Sequence, residues 1–147
     1  MTAQQLWERF QAACPAARGS GYEAWAFGAD ADALAALVIT GQKTATASAH
    51  ALYGLENQPL PATGAYSVVL NARGEAVCII KTTRVYVTPF CQVSQAHAYK
   101  EGEGDRSLAY WRAAHKAFFS ECLSAAGMAF DERTGVVCEE FACVYKA

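Results

Sequence analysis

Several things are scarce in this chain of 147 residues. There are only four prolines and two methionines. No apolar run approaches the ~18–20 residues that a membrane-spanning helix requires, so no membrane partner is expected. The first residues, Met1 to Gln11, carry Glu8 and Arg9 and lack the apolar stretch of a secretory leader. The cytoplasm is the expected compartment. Neither sign of charge dominates: 12 Lys and Arg against 14 Asp and Glu give a net charge of −2. A broad basic footprint for long nucleic acid is therefore missing. The six cysteines, Cys14, Cys78, Cys91, Cys122, Cys138 and Cys143, form no CxxC pair. They read as small apolar core residues rather than as a disulfide framework or zinc site. Among His50, His97 and His115 no two have metal-ligand spacing. No metal or cofactor is expected.

What is abundant is apolar surface. Hydrophobic residues make up 53% of the chain and charged ones 18%, which excludes disorder and low-complexity chains. The length suits one domain with a substantial core, here expected over residues 1–147 with an N-terminal helix at 2–14. Leu6, Phe10 and Ala13 recur at helical spacing, and Pro15 stops that helix. Tyr22 to Phe27 reads as a short strand. Asp30 is a candidate N-cap for a helix carrying Ala33, Leu34, Leu37 and Val38, which ends at Gly41. Residues 50–64 read as irregular, punctuated by Pro59, Pro61 and Gly64. Tyr66–Leu70 and Ala76–Val87 read as strands joined by a hairpin at Asn71-Ala72-Arg73-Gly74. The longer one is expected to show Val77, Ile79, Thr83, Val85 and Val87 on one face. A short helix is expected over 92–98, a long one over 107–126 and a closing strand over 136–145. This order is α+β rather than alternating βαβ. A partly closed sheet with helices packed around it would leave few exposed edges.

Two segments offer chemistry. In GQKTATAS, residues 41–48, a regular strand would put Thr44, Thr46 and Ser48 on one face and Lys43 on the other. On pattern alone this is a Thr-rich edge strand with a solvated lysine. If the backbone bends, Lys43 and Thr46 meet and form a nucleophile-activating pair, because a threonine hydroxyl needs a neighbouring base. It is not a P-loop, since the spacing before Lys43 is wrong. In Glu101-Gly102-Glu103-Gly104-Asp105-Arg106 the alternating acids resemble an EF-hand opening, but Arg106 and Arg112 fall where glycine and a bidentate glutamate are needed. Asp105 or Ser107 suits the cap of the long helix. Glu101 is free to orient a lysine–threonine pair, as the third group of a triad does. His115, on the apolar face of the long helix, reads as a core residue. Trp25 and Phe27 belong to an aromatic stock able to stack on a base.

WAFG at Trp25, DALAALV, GQKTATAS and AYKEGEGDRSLAYWRAAH together resemble the ASCH domain family, in its bacterial branch of chains this size. The resemblance implies a PUA-like β-barrel with helices packed around it. It also implies RNA-related roles: a few small members remove the acyl group from N4-acylcytidines, and at least one member is described as a ribonuclease. Carried over by motif, the amidohydrolase trio falls on Lys43 and Thr46, with Glu101 three residues after His97-Ala98. Ser48 stands where the small amidohydrolases have arginine. The expected activity is metal-independent amide hydrolysis on an acylated cytosine nucleoside or similar small amide. The catalytic residues would be Lys43, Thr46 and Glu101, with Trp25, Phe27, Thr44, Ser48, Asp105 and Arg106 around the substrate. The alternative is an RNA-binding module or ribonuclease using a basic rim of Lys43, Lys81, Arg84, Lys100 and Arg106 at the same opening.

Overall fold

The computed structural model describes residues 1–147. Ten elements follow in chain order: α1 (Ala3–Ala13), β1 (Tyr22–Ala26), α2 (Ala31–Thr40), β2 (Ala45–Ala49), α3 (His50–Leu55), β3 (Tyr66–Leu70), β4 (Ala76–Pro89), α4 (Gln95–Glu101), α5 (Leu108–Ala125) and β5 (Gly135–Lys146). The five strands form one sheet in the order β1-β3-β4-β5-β2. Only β1 and β3 pair in parallel; every other neighbour is antiparallel. The two edge strands do not pair with each other, yet both line one cavity. The sheet therefore curls into a half-barrel, and the cavity lies in its concave side.

Helices seal the rest. Leu6, Trp7 and Phe10 of α1 pack with Val68 and Ile79. Ala35 and Val38 of α2 meet Val69, Ile80 and Phe141. Trp111, Phe119 and Leu123 of α5 meet Phe90, Val136 and Cys138. Each large apolar side chain buried in this way contributes about 1.5–3 kcal/mol. Thr2 and Gln5 form a capping box on α1, and Ser107 caps α5 by accepting from the Tyr110 N–H. No helix is long and apolar enough to cross a membrane. All six cysteines are free; Cys78 and Cys138 are buried, but Cys91 is exposed.

Four expectations need correction. Residues 50–55, expected to be irregular, form α3; it has no side-chain cap, so no start signal marked it. Asp30 precedes α2 in a left-handed conformation, and its side chain caps nothing. The short helix begins at Gln95, because Phe90–Gln92 is a separate 3₁₀ turn and Ser94 supplies the cap. The strand face expected in β4 is broken by irregularities between Ile79 and Ile80 and between Thr82 and Arg84. Ile79 and Ile80 are both buried because they face opposite sides of the sheet, one under α1 and the other under α2. Thr83, the extra residue at the second irregularity, and Val87 are exposed.

Candidate functional site

The site begins at the end of α2. Gly41 takes φ 85°, which turns the chain at once, and Lys43 N–H donates to the Leu37 carbonyl. The next residues lie against the end of α4. Gln42 Nε2 donates to the Gly102 carbonyl at 2.7 Å, and Thr44 N–H donates to the Lys100 carbonyl at 2.7 Å. Gly102, at φ 73°, approaches the Gln42 backbone so closely that a Cβ there would strike its carbonyl oxygen. This junction turns the Lys43 side chain inward, leaving the residue 2% exposed.

Lys43 Nζ donates to Glu103 Oε2 at 2.8 Å, to Glu101 Oε1 at 3.4 Å and to the Glu101 carbonyl at 3.4 Å. It also lies 5.3 Å from the centre of the Phe27 ring. Glu101, the last residue of α4, is 1% exposed. Its Oε2 accepts from Trp111 Nε1 and contacts His97 Nε2 at 2.7 Å. Its Oε1 lies 3.4 Å from His115 Nε2. Burial alone would raise the Glu101 pKa. The His115 and His97 hydrogen bonds and the Lys43 charge outweigh burial and hold it well below the usual carboxylate range. Burial likewise opposes charge on His115, but pairing with Glu101 raises its pKa overall. His115 Nδ1 is 2.9 Å from the Trp111 carbonyl, so a proton there leaves Nε2 a donor only in the imidazolium. The His115 ring stacks on Trp111 with centroids 4.2 Å apart.

Lys43, Glu101, Glu103 and His115 form one end of a cavity of about 920 Å³. Trp25, Phe27, Thr46 and Ser48 line it as well. Trp25 and Phe27 meet edge to face at 5.0 Å and form its aromatic wall. Thr46 sits in mid-β2, directly across from Glu139 of β5. Ser48 shares a 2.6 Å hydrogen bond with Tyr53, which also lines the cavity. Glu139 is 9% exposed, and its Oε1 accepts from Thr82 Oγ1 at 2.6 Å. Burial raises its pKa, the Thr82 bond lowers it, and the Glu23 charge raises it; the net shift is upward.

Three expected substrate residues are elsewhere. Regular pairing in β2 begins at Ala45, so Thr44 lies before it, donating its hydroxyl to the Lys100 carbonyl at 3.3 Å rather than sharing a face with Thr46. Asp105 accepts from the Ser107 N–H at 2.9 Å. Arg106 lies over the Tyr99 ring and donates to the Tyr99 and Gln42 carbonyls. None of the three lines the cavity. They brace the loop that carries Glu103 against the Gln42 turn. The expected direct contact of Lys43 with Thr46 is also absent as a hydrogen bond, because all the Lys43 bonds go to the two glutamates.

The basic rim is not at the opening. Arg84 and Lys100 pair with Glu140, and Lys81 lies over the Tyr66 ring. Of the five expected basic residues only Lys43 lines the cavity. Conversely, Glu103, His115 and Glu139 were not anticipated there. Glu101, Glu103 and His115 offer ligand atoms within 4.8 Å of one another, a spacing suited to a cation. The Lys43 ammonium is already ion-paired with two of the three. The signal for Glu103 was the same acidic alternation that suggested an EF-hand. His115 follows Trp111 by one helical turn, a pattern shared by any packed helix face.

The ASCH domain model matches residues 23–145. This chain belongs to the ASCH domain family. A crystal structure of an ASCH domain from Lactobacillus crispatus JV V101 superposes with a TM-score of 0.92 at 34% identity, covering 97% of this chain and 93% of that one. Protein EF3133 from Enterococcus faecalis V583 gives 0.89 at 31% identity, covering 97% and 88%. Hypothetical protein PH0355, at 14% identity and a TM-score of 0.56 over 84% of this chain and 98% of that one, shares the fold. No curated protein matches. The half-barrel with its surrounding helices is thus the ASCH, PUA-like architecture.

Proposed function

We propose that this ASCH domain is an amidohydrolase that removes acyl groups from N4-acylcytosine nucleosides or similar small amides. One observation carries the reading: a buried lysine, ion-paired to Glu101 and Glu103, ends an aromatic-walled cavity that Thr46 also lines. The volume suits a nucleoside, within the several hundred Å³ usual for small-molecule sites.

In this mechanism Thr46 Oγ1 bonds to the acyl carbon and the C–N bond breaks. Glu103 takes one proton from the Lys43 ammonium as the pair separates. The free amine then accepts the Thr46 hydroxyl proton and passes it to the leaving nitrogen, so the cytosine amine departs neutral. Water then splits the threonine ester and returns the free acid. Lys43 must swing from its glutamate partners toward Thr46 during turnover. Glu103, the more exposed partner, is the one it releases, while Glu101 stays fixed by His97 and Trp111. Proton transfer of this kind contributes typically 10²–10⁴-fold. Hydrolysis of N4-acetylcytidine followed by ultraviolet absorbance, with and without chelator, tests the reading. Chelator-resistant turnover is expected; no turnover across a panel of acylated nucleosides removes it.

A further inference from the structure

The cavity has a second set of charges that the hydrolytic groups do not use. Four glutamates line it, Glu23, Glu101, Glu103 and Glu139, against one lysine and one histidine. Lys43 and His115 are taken up by Glu101 and Glu103. Glu23 and Glu139 have no cationic partner within ion-pair distance, although each faces the same space.

Glu139 is the informative one. Thr82 occupies its Oε1, and Oε2 accepts no hydrogen bond from the protein. That oxygen is not among the fully enclosed atoms left without a partner, so it opens on the cavity. Desolvating a carboxylate is costly unless something donates to it. Its cross-strand neighbour is Thr46, so a ligand reacting at Thr46 passes beside it.

We propose that Glu139 and Glu23 make the cavity selective for an unphosphorylated base or nucleoside. Glu139 Oε2 accepts an N–H from the ring's exocyclic nitrogen, and the two carboxylates together repel phosphate. This deepens the hydrolase reading and rests on its view of the cavity as a nucleoside site. It excludes nucleotides and the RNA backbone from the cavity. The absence of Lys81, Arg84, Lys100 and Arg106 from the lining agrees, since the two cationic residues that do line it, Lys43 and His115, are already paired with Glu101 and Glu103.

Binding tests this independently of turnover, with Trp25 in the cavity wall as a fluorescence reporter and calorimetry as a second readout. Cytidine, cytidine 5′-monophosphate and N4,N4-dimethylcytidine serve as probes. At low salt, cytidine binds at least about tenfold more tightly than its monophosphate, the scale expected for like charges in a partly dried cavity. N4,N4-dimethylcytidine, with no exocyclic N–H, also binds at least about tenfold more weakly than cytidine. Glu23→Gln, an exposed change, narrows the phosphate gap, and Glu23→Gln with Glu139→Gln narrows it further. Equal or tighter binding of the monophosphate overturns the proposal, as does the failure of all three probes to bind. Tight binding of the dimethyl probe overturns the role of Glu139. Cytidine selectivity without any amide hydrolysis leaves this inference standing and removes the hydrolase reading instead.

Discussion

Lys43 and Glu101 are 58 residues apart in the chain, yet Nζ and Oε1 are 3.4 Å apart and neither residue is more than 2% exposed. Removing one partner of such a pair leaves a buried charge uncompensated, at a cost of about 3–5 kcal/mol. Lys43→Ala is therefore expected to lose both turnover and stability, by that amount in urea denaturation. Lys43→Met combined with Glu101→Gln recovers part of the stability and none of the activity. Additive losses in the double variant would mean that the two residues are not energetically paired.

Thr46 is the cleaner probe of chemistry, because no charge depends on it. Thr46→Ala is expected to lower N4-acetylcytidine hydrolysis by about 10⁴-fold or more while changing stability by less than about 1 kcal/mol. Thr46→Ser retains measurable turnover. Equal activity in Thr46→Ala and the parent protein would rule out a threonine ester.

The acid–base balance around Glu101 sets a stability profile against pH. The folded Glu101 pKa is depressed: burial opposes this, and the His115 and His97 bonds with the Lys43 charge overcome it. Its contribution is complete above the unfolded carboxyl value of about 4.3 and is lost as pH falls toward the folded value. The folded His115 pKa is raised: burial opposes this, and Glu101 overcomes it. Its contribution is complete below the unfolded value of about 6.5 and is lost as pH rises through the folded value. Urea midpoints from these two groups should peak between about pH 4.3 and 6.5. His115→Gln flattens the alkaline limb and, because the His115 bond is the largest influence lowering the Glu101 pKa, weakens the acid limb as well. A midpoint unchanged by this variant at every pH would contradict the pairing.

Glu139 has the opposite sign. Its raised pKa, owed first to burial, means that the ionised form is penalised in the folded state. Glu139→Gln keeps an acceptor for Thr82 and removes that penalty. The variant is expected to melt at the same temperature as the parent protein or higher at pH 8, with the advantage disappearing near pH 4. A lower melting temperature at pH 8 would count against a desolvated carboxylate.

Gly102→Ala tests the junction that aims both charged partners. The positive φ and the Gln42 carbonyl leave no room for a methyl group, so the α4 end must shift. A cost of about 1–3 kcal/mol is expected, with loss of turnover although no reacting group has changed. Full activity in this variant would show that the α4 end does not position Glu101.

Much of this was legible in the residues, for local reasons. Apolar spacing gave α1 and α5, Gly41 marked the end of α2, and Gly74 marked the β3–β4 hairpin. Alternation was a poor guide in β4 because helices cover both faces of its first half, and because the irregularity at Thr83 is set by pairing with β5, which no local pattern in β4 reports. Lys43, Thr46 and Glu101 were legible as a motif, but their partners were not. His115 enters because α5 crosses the end of α4, and Glu139 enters because β5 pairs with β2. Arg106 is the reverse case: a charged residue beside the motif that looks chemical but braces a loop, through its Tyr99 and Gln42 carbonyl contacts.

The cavity draws its two kinds of wall from different parts of the chain. Lys43, Thr46, Glu101 and Glu139 stand on or beside paired strands and helix ends, whereas Pro59, Leu60, Pro61, Ala62 and Gly64 come from the connecting stretch between α3 and β3. Connecting segments tolerate insertion and exchange that paired strands do not. Related chains can thus reshape the entrance, and on the proposed hydrolase reading the size of acyl group admitted, while Lys43, Thr46 and Glu101 keep their spacing. Exchanging residues 56–65 between relatives is accordingly expected, on the proposed hydrolase reading, to alter substrate range and leave the reaction itself intact.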